Sequence, residues 1–271
     1  MGRKDSFREV ELKQRKRPPI RELSKKGIYL LPNLFTTGNL FCGVMAVLSV
    51  LNQDYIHAAM AILIAIFFDS VDGKLARLTK TTSRFGLEYD SLSDVISFGV
   101  APGLLVYSWG LNEYGRLGWA AVFLYIACGA LRLSRYNVYA STSETRGFMG
   151  LPIPAAAGLI ASLVILDDYI LHVGKEVRPV VILGTTYLLA FLMVSTIRYR
   201  SMEDIHFQNR TSFSVLVATV LMLLTLVVAP QVMPFGLMLL YVLSGLLEKP
   251  VMALFRRFRK APEELPFVAE K

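Results

Sequence analysis

Cysteine, histidine and charge are all scarce in this 271-residue chain. Its two cysteines, Cys42 and Cys128, stand far apart in apolar surroundings, and its three histidines, His57, His172 and His206, are scattered. Neither a disulfide framework nor a Cys/His zinc site fits that pattern. Charged residues make up 18% of the chain and hydrophobic residues 54%, whereas soluble domains carry about 25% charged residues, so an ordinary water-soluble globular protein is excluded. No segment is low in complexity and nothing repeats at a fixed period, which excludes solenoids and arrays. No short apolar stretch with a small-residue cleavage site follows the basic start, so the first apolar run is expected to stay as a membrane span.

What is abundant is apolar sequence in runs near the ~20-residue length that crosses a bilayer. These runs fall at about 32–52, 55–78, 87–110, 117–138, 152–171, 179–197, 212–230 and 233–250. They predict an all-α, multi-pass transmembrane helical bundle of about eight spans. Residues 1–30 hold ten Lys or Arg against four acids, interleaved with Phe7, Val10, Leu12, Ile20, Leu23 and Ile28. The second half of that stretch reads as an N-terminal interfacial amphipathic helix lying on anionic headgroups; a basic tail that only sets topology fits equally well. With this end in the cytoplasm, 26 of the 29 Lys and Arg fall on the cytoplasmic side, leaving Arg116, Lys175 and Arg178 outside. Both termini, and the junction of the second and third spans, are then cytoplasmic, as expected for a protein of the cell's inner, cytoplasmic membrane. The expected layout is a basic segment over 1–30, a transmembrane core over 31–200, additional helices over 201–250 and a basic tail over 251–271.

That junction carries the chemistry. Asp69, Asp72, Asp90 and Asp94 sit among some of the most hydrophobic sequence in the chain, where an ionised carboxylate costs roughly 2.5 to 3.5 kcal/mol even on lenient scales. They must be paired, wet or bound to metal. Helical offsets of three and four place Asp69, Asp72, Ala76 and Arg77 on one face, and Gly86, Asp90 and Asp94 on another. Two antiparallel helix ends would gather four carboxylates around a polar space. Oxygen-only ligation favours hard divalent ions, Mg2+ or Mn2+. Four carboxylates can hold two such ions, the clamp used in phosphoryl displacement. Gly73 and Ala76 leave room for a bulky ligand beside the carboxylates, and Arg77 suits a phosphate oxygen. Ion pairing with Lys74, Arg77, Lys80 and Arg84 would explain one acid but not four in this order.

The eight positions read DxxDGxxARx8GxxxDxxxD, and with them the chain resembles the CDP-alcohol phosphotransferases. That resemblance implies a six-helix membrane core and an enzyme that moves a phosphatidyl group from a CDP-linked lipid to an alcohol, releasing CMP. It implies that Asp69, Asp72 and Asp90 hold divalent metal and that Asp94 is the general base and a further metal contact. It also implies a homodimer, with membrane lipid but no nucleic acid among its partners. Asn33, Thr36, Asn39, Asp69, Asp72, Gly73, Ala76, Arg77 and Gly86 would contact the CDP-lipid, although Asn33 also reads as a helix cap.

The acceptor is a separate question. Residues 31–39 (LPNLFTTGN), 97–102 (SFGVAP), 132–137 (RLSRYN) and 150–158 (GLPIPAAAG) resemble the membrane-embedded phosphatidylserine synthases, which implies CDP-diacylglycerol and L-serine as substrates. Arg132 and Arg135, with Asn137, could hold the carboxylate of an amino acid. Glycerol 3-phosphate or inositol phosphate carries an anion as well, inositol is a sibling acceptor, and an ether-lipid donor fits the same motif. A divalent-cation transporter is the alternative from another class; it would place its acids nearer the bilayer midplane. Pro152 and Pro154 mark a rigid helix start, and Gly99 and Gly103 a close helix contact.

Overall fold

A computed structural model of the chain describes residues 20–79, 83–141, 149–172, 174, 177–197, 199 and 229–259, with the side chains of 20–31, 140–141 and 248–259 left aside. Among these residues the elements are all helices, joined by short turns, with no strand. Helix α1 is Ile20–Leu51, α2 Tyr55–Leu78, α3 Arg84–Trp109, α4 Arg116–Ser141, α5 Ile153–Leu166, α6 Val177–Val194 and α7 Met233–Arg259. A 3-10 turn, Leu111–Tyr114, joins α3 to α4, and a π-helical turn, Asp167–Leu171, extends α5.

Six of these helices are long and apolar enough to cross a membrane: Pro32–Leu51, Tyr55–Leu78, Arg84–Trp109, Arg116–Tyr139, Ile153–Leu171 and Val177–Val194. The protein is therefore a multi-pass membrane protein. The expected span at 212–230 lies outside the described residues. The one expected at 233–250 falls on α7, whose apolar run among the described residues, Met233–Leu247, is shorter than those six.

Local sequence explains the boundaries. Asp54 caps α2: its carboxylate accepts the His57 backbone N–H at 3.2 Å and lies 2.7 Å from His57 Nδ1. Those contacts hold the exposed Asp54 carboxyl below the usual carboxylate range. Ser83 caps α3, its Oγ accepting the Gly86 N–H at 2.9 Å. The expected interfacial helix and first span run together as one 32-residue helix, α1, with Pro32 inside it. A proline withholds one N–H from the ladder, a defect that membrane helices tolerate. Asn33 is thus interior to α1, not a cap; its carbonyl accepts the Thr37 hydroxyl at 2.7 Å.

Helix α3 is not uniform. Arg84–Asp94 is α-helical, Val95–Val100 is a π-helical turn, and Ala101–Trp109 is α-helical again. Pro102 has no N–H to give to the Phe98 carbonyl four residues back, and the buried Tyr125 hydroxyl donates to that carbonyl at 3.1 Å. Of the expected glycine step, Gly103 marks a close contact, where a Cβ would lie 3.2 Å from Val122 and 3.3 Å from Ile126 of α4, whereas one on Gly99 would sit at an ordinary 3.9 Å from Ile126.

Helix α5 is the centre of the bundle, most of its residues being buried, with α2 and α7 packed on it; α1 packs along α2, and α4 along α6. At the end remote from the aspartates, the buried Asp167 meets Arg178 at 2.8 Å, and the Arg178 guanidinium lies 5.1 Å over the Trp109 ring. That cluster joins α3, α5 and α6. At the near end, Gly150 takes φ +84, a left-handed conformation, and its Cβ would fall 2.1 Å from the Met193 carbonyl oxygen, so both backbone and space demand glycine.

Candidate active site

The last turns of α2 and the first turns of α3 run antiparallel and bring their carboxylates together. Asp69, Asp72 and Asp90 each offer a carboxylate oxygen, and these three atoms lie within 4.8 Å of one another. Asp94 is one turn further along α3, 7% exposed, and within electrostatic range of the other three. The four acids thus divide into a converging threesome and a fourth, more enclosed group. Among the described residues this is the place where such donors converge.

Among the described residues, the side-chain hydrogen bonds that reach these carboxylates come from uncharged donors on α1. Thr36 donates to Asp72 Oδ2 at 2.9 Å, and Asn39 Nδ2 donates to Asp94 Oδ1 at 3.1 Å. Both donors are buried. These contacts bring the carboxylates no counter-charge, the condition under which close acids need a cation. Asp90 Oδ1 is buried with no hydrogen-bond partner. An all-oxygen donor set with an unpartnered oxygen fits a hard divalent cation, and Asp69, Asp72 and Asp90 are the residues that could hold one.

Beside them the wall is open. A Cβ on Gly73 would meet nothing nearer than the Arg77 guanidinium at 3.6 Å, and Ala76 is half-buried on the same face. Arg77 is exposed and donates Nε to the Gly73 carbonyl at 2.9 Å. Across the junction, Gly86 is enclosed: a Cβ there would lie 3.1 Å from Ser83 Oγ and 3.2 Å from Asn33 Oδ1. Asn33, Asp69, Asp72, Gly73, Ala76, Arg77, Gly86 and Asp90 are brought to one end of three helices.

The residues expected to hold the acceptor divide. Arg132 is 7% exposed, its Nε has no partner, and it lies within electrostatic range of Asp69 and Asp94. Arg135 instead donates to the carbonyls of Met149 at 2.9 Å and Val194 at 3.3 Å. It holds the end of α6 to the strand-like segment that enters α5, where Gly150 N–H reaches the Ile197 carbonyl at 2.8 Å and Leu151 N–H the Leu192 carbonyl at 3.0 Å. Asn137 donates to Ser91 Oγ at 2.9 Å, joining α4 to α3 next to Asp90.

Ser93 escaped the sequence reading, and Ser97 entered it only within the 97–102 segment, with no role of its own. Ser97 Oγ donates to the Asn39 carbonyl at 3.0 Å and Ser93 Oγ to the Thr36 carbonyl at 3.2 Å. Their i, i+4 spacing beside Asp90 and Asp94 was the available signal. Tyr89, 3.1 Å from the Thr37 hydroxyl, is a further link between α1 and α3.

Comparison with known proteins agrees with this geometry. Residues 29–189 match the CDP-alcohol phosphatidyltransferase family. A CDP-diacylglycerol-serine O-phosphatidyltransferase of Helicobacter pylori strain J99 is 40% identical over 190 residues, covering 70% of this chain and 80% of the relative. One from Bacillus subtilis strain 168 is 36% identical over 169 residues, covering 62% of this chain and 89% of the relative. An archaetidylserine synthase of Methanothermobacter thermautotrophicus is 37% identical over 171 residues, 62% of this chain and 69% of the relative. The match takes in every one of the eight motif positions, from Asp69 to Asp94, and on these grounds the chain belongs to the CDP-alcohol phosphatidyltransferase family.

Proposed function

We propose that this protein transfers the phosphatidyl group of CDP-diacylglycerol to the hydroxyl of L-serine, giving phosphatidylserine and CMP. The observation that carries the reaction class is the convergence of Asp69, Asp72 and Asp90 beside the open wall at Gly73. The choice of serine is supported by relatives named for that acceptor, up to 40% identical.

Asp69, Asp72 and Asp90 would hold the divalent cation, Mg2+ or Mn2+, with a second ion completed by Asp94. Bound there, such ions supply charge neutralisation for the pyrophosphate and the departing phosphate. The chain's own residues do the rest. Gly73 and Ala76 admit the pyrophosphate beside the carboxylates, and Arg77 steadies one of its oxygens. Arg132, buried and unpartnered at Nε, binds the serine carboxylate, while Arg135 and Asn137 hold the wall around it. Asp94 takes the proton of the serine hydroxyl. The serine oxygen bonds to the phosphorus that bears the diacylglycerol, the bond from that phosphorus to the CMP oxygen breaks, and CMP leaves with the electron pair. The motif offers a base but no evident covalent nucleophile, which favours direct transfer.

The charge distribution supports a cytoplasmic active site in the cytoplasmic membrane, with both termini on that side. A homodimer is carried forward from the family resemblance, and cross-linking of the purified protein checks it. The decisive test is an acceptor panel: purified protein, CDP-diacylglycerol and Mn2+ or Mg2+, with serine, glycerol 3-phosphate and inositol supplied separately. Serine is expected to drive CMP release; release with another acceptor and none with serine would overturn the assignment.

A further inference from the structure

Asn39 is fully buried in the middle of α1, and its single side-chain hydrogen bond among the described residues is the one its Nδ2 gives to Asp94 Oδ1, at 3.1 Å. Its own Oδ1 is buried without a partner. An ionised carboxylate can only accept, so the amide must present its nitrogen to Asp94. The approach of the two helices at this level is tightly set. Ser97, three residues beyond Asp94, donates to the Asn39 carbonyl at 3.0 Å, and Ser93, the residue before it, donates to the Thr36 carbonyl at 3.2 Å. Gly43, one turn along α1, permits this closeness: a Cβ there would lie 2.3 Å from Ser97 Oγ and 2.8 Å from its Cα.

A carboxylate turns readily about its last torsion, which has a broad two-fold profile. One donor on one oxygen removes that symmetry. A neutral amide does so without supplying a counter-charge. We infer that Asn39 is a positioning residue for proton transfer: it holds Asp94 by Oδ1 and leaves Oδ2 as the oxygen that takes the acceptor's hydroxyl proton. The inference rests on Asp94 being the base. It also separates Asn39 from the residues that contact the CDP-lipid.

Two variants test it. Asn39→Leu keeps the volume and removes the donor; Asn39→Asp keeps the shape and exchanges the donor for an acceptor. Misplacing a base forfeits part of a contribution of about 10²–10⁴, so kcat for serine-dependent CMP release should fall about 10- to 100-fold in both. The KM for CDP-diacylglycerol should stay within about threefold, because binding of the donor substrate is not what the contact serves. Thermal unfolding in detergent reports whether each variant is folded. Asp94→Asn and the double variant Asn39→Leu/Asp94→Asn are measured in parallel, and the double variant should be no slower than Asp94→Asn alone.

A folded variant with kcat within about twofold of the parent, while Asp94→Asn is inactive, would overturn the inference and leave Asp94 as the base. A loss confined to KM for CDP-diacylglycerol would make Asn39 a substrate contact and overturn it as well. Failure of both variants to fold would make the contact structural, and the positioning role would fall with it. Near-parental turnover by Asp94→Asn would remove the base itself, and this inference too.

Discussion

At the residue scale, two helical glycines make opposite predictions. Gly73 faces open space beside Asp72, and an added Cβ would meet only Arg77 at an ordinary 3.6 Å. Gly73→Ala should therefore leave thermal stability unchanged or raise it, since alanine favours a helix by up to about 1 kcal/mol over glycine. It should nevertheless weaken use of CDP-diacylglycerol, read as a rise in KM, because the methyl occupies the room the substrate needs. Gly43 is packed against Ser97 backbone, where a Cβ would come within 2.8 Å of Cα. Gly43→Ala should lower the unfolding temperature, by on the order of 1 to 3 kcal/mol of overpacking. In the sequence Gly73 stood out through its place in the aspartate motif, while nothing marked Gly43. Outside such a motif, nothing in local spacing distinguishes a glycine that makes room for a ligand from one that makes room for another helix, since the difference lies in residues more than fifty positions away. Arginine was ambiguous for the same reason: Arg132 and Arg135 share a motif and a helix, but Arg135 reaches the carbonyls of Met149 and Val194 while Arg132 remains near the acids.

At the scale of elements, the ends of α2 and α3 were legible because helical offsets alone put the aspartates on facing sides. Six of the eight apolar runs are spanning-length helices among the described residues, and Gly103 of the glycine step on α3 marks a close contact with α4. The continuity of α1 was not legible, because the basic flank and the apolar run after it read as two separate elements. Nor was the π-helical turn, within which the Phe98 carbonyl accepts from the distant Tyr125 hydroxyl. That hydroxyl is the subject of a further prediction. Tyr125→Phe leaves the Phe98 carbonyl without its buried donor, which should cost about 1 to 3 kcal/mol, seen as a lower unfolding temperature in detergent. The turn follows Asp94 directly, so turnover should fall with stability, in contrast to the variants of Asn39.

At the scale of the whole molecule, the aspartate end gathers four carboxyl groups whose side-chain hydrogen bonds among the described residues come from neutral donors. Removing divalent metal with EDTA should abolish CMP release, and Mn2+ or Mg2+ should restore it. The same titration should raise the unfolding temperature, since a ligand at 100 times its Kd stabilises by about 2.7 kcal/mol. Turnover that persists in metal-free buffer would rule out the metal centre. The opposite end of the bundle bears on biogenesis. In the proposed orientation, the hairpin formed by α5 and α6 must carry Arg178 across the bilayer, against the bias that retains basic residues inside. Asp167 neutralises that guanidinium and the indole of Trp109 covers it. The hairpin thus carries its own counter-ion for the arginine, and α3, earlier in the chain, supplies the indole that covers the guanidinium.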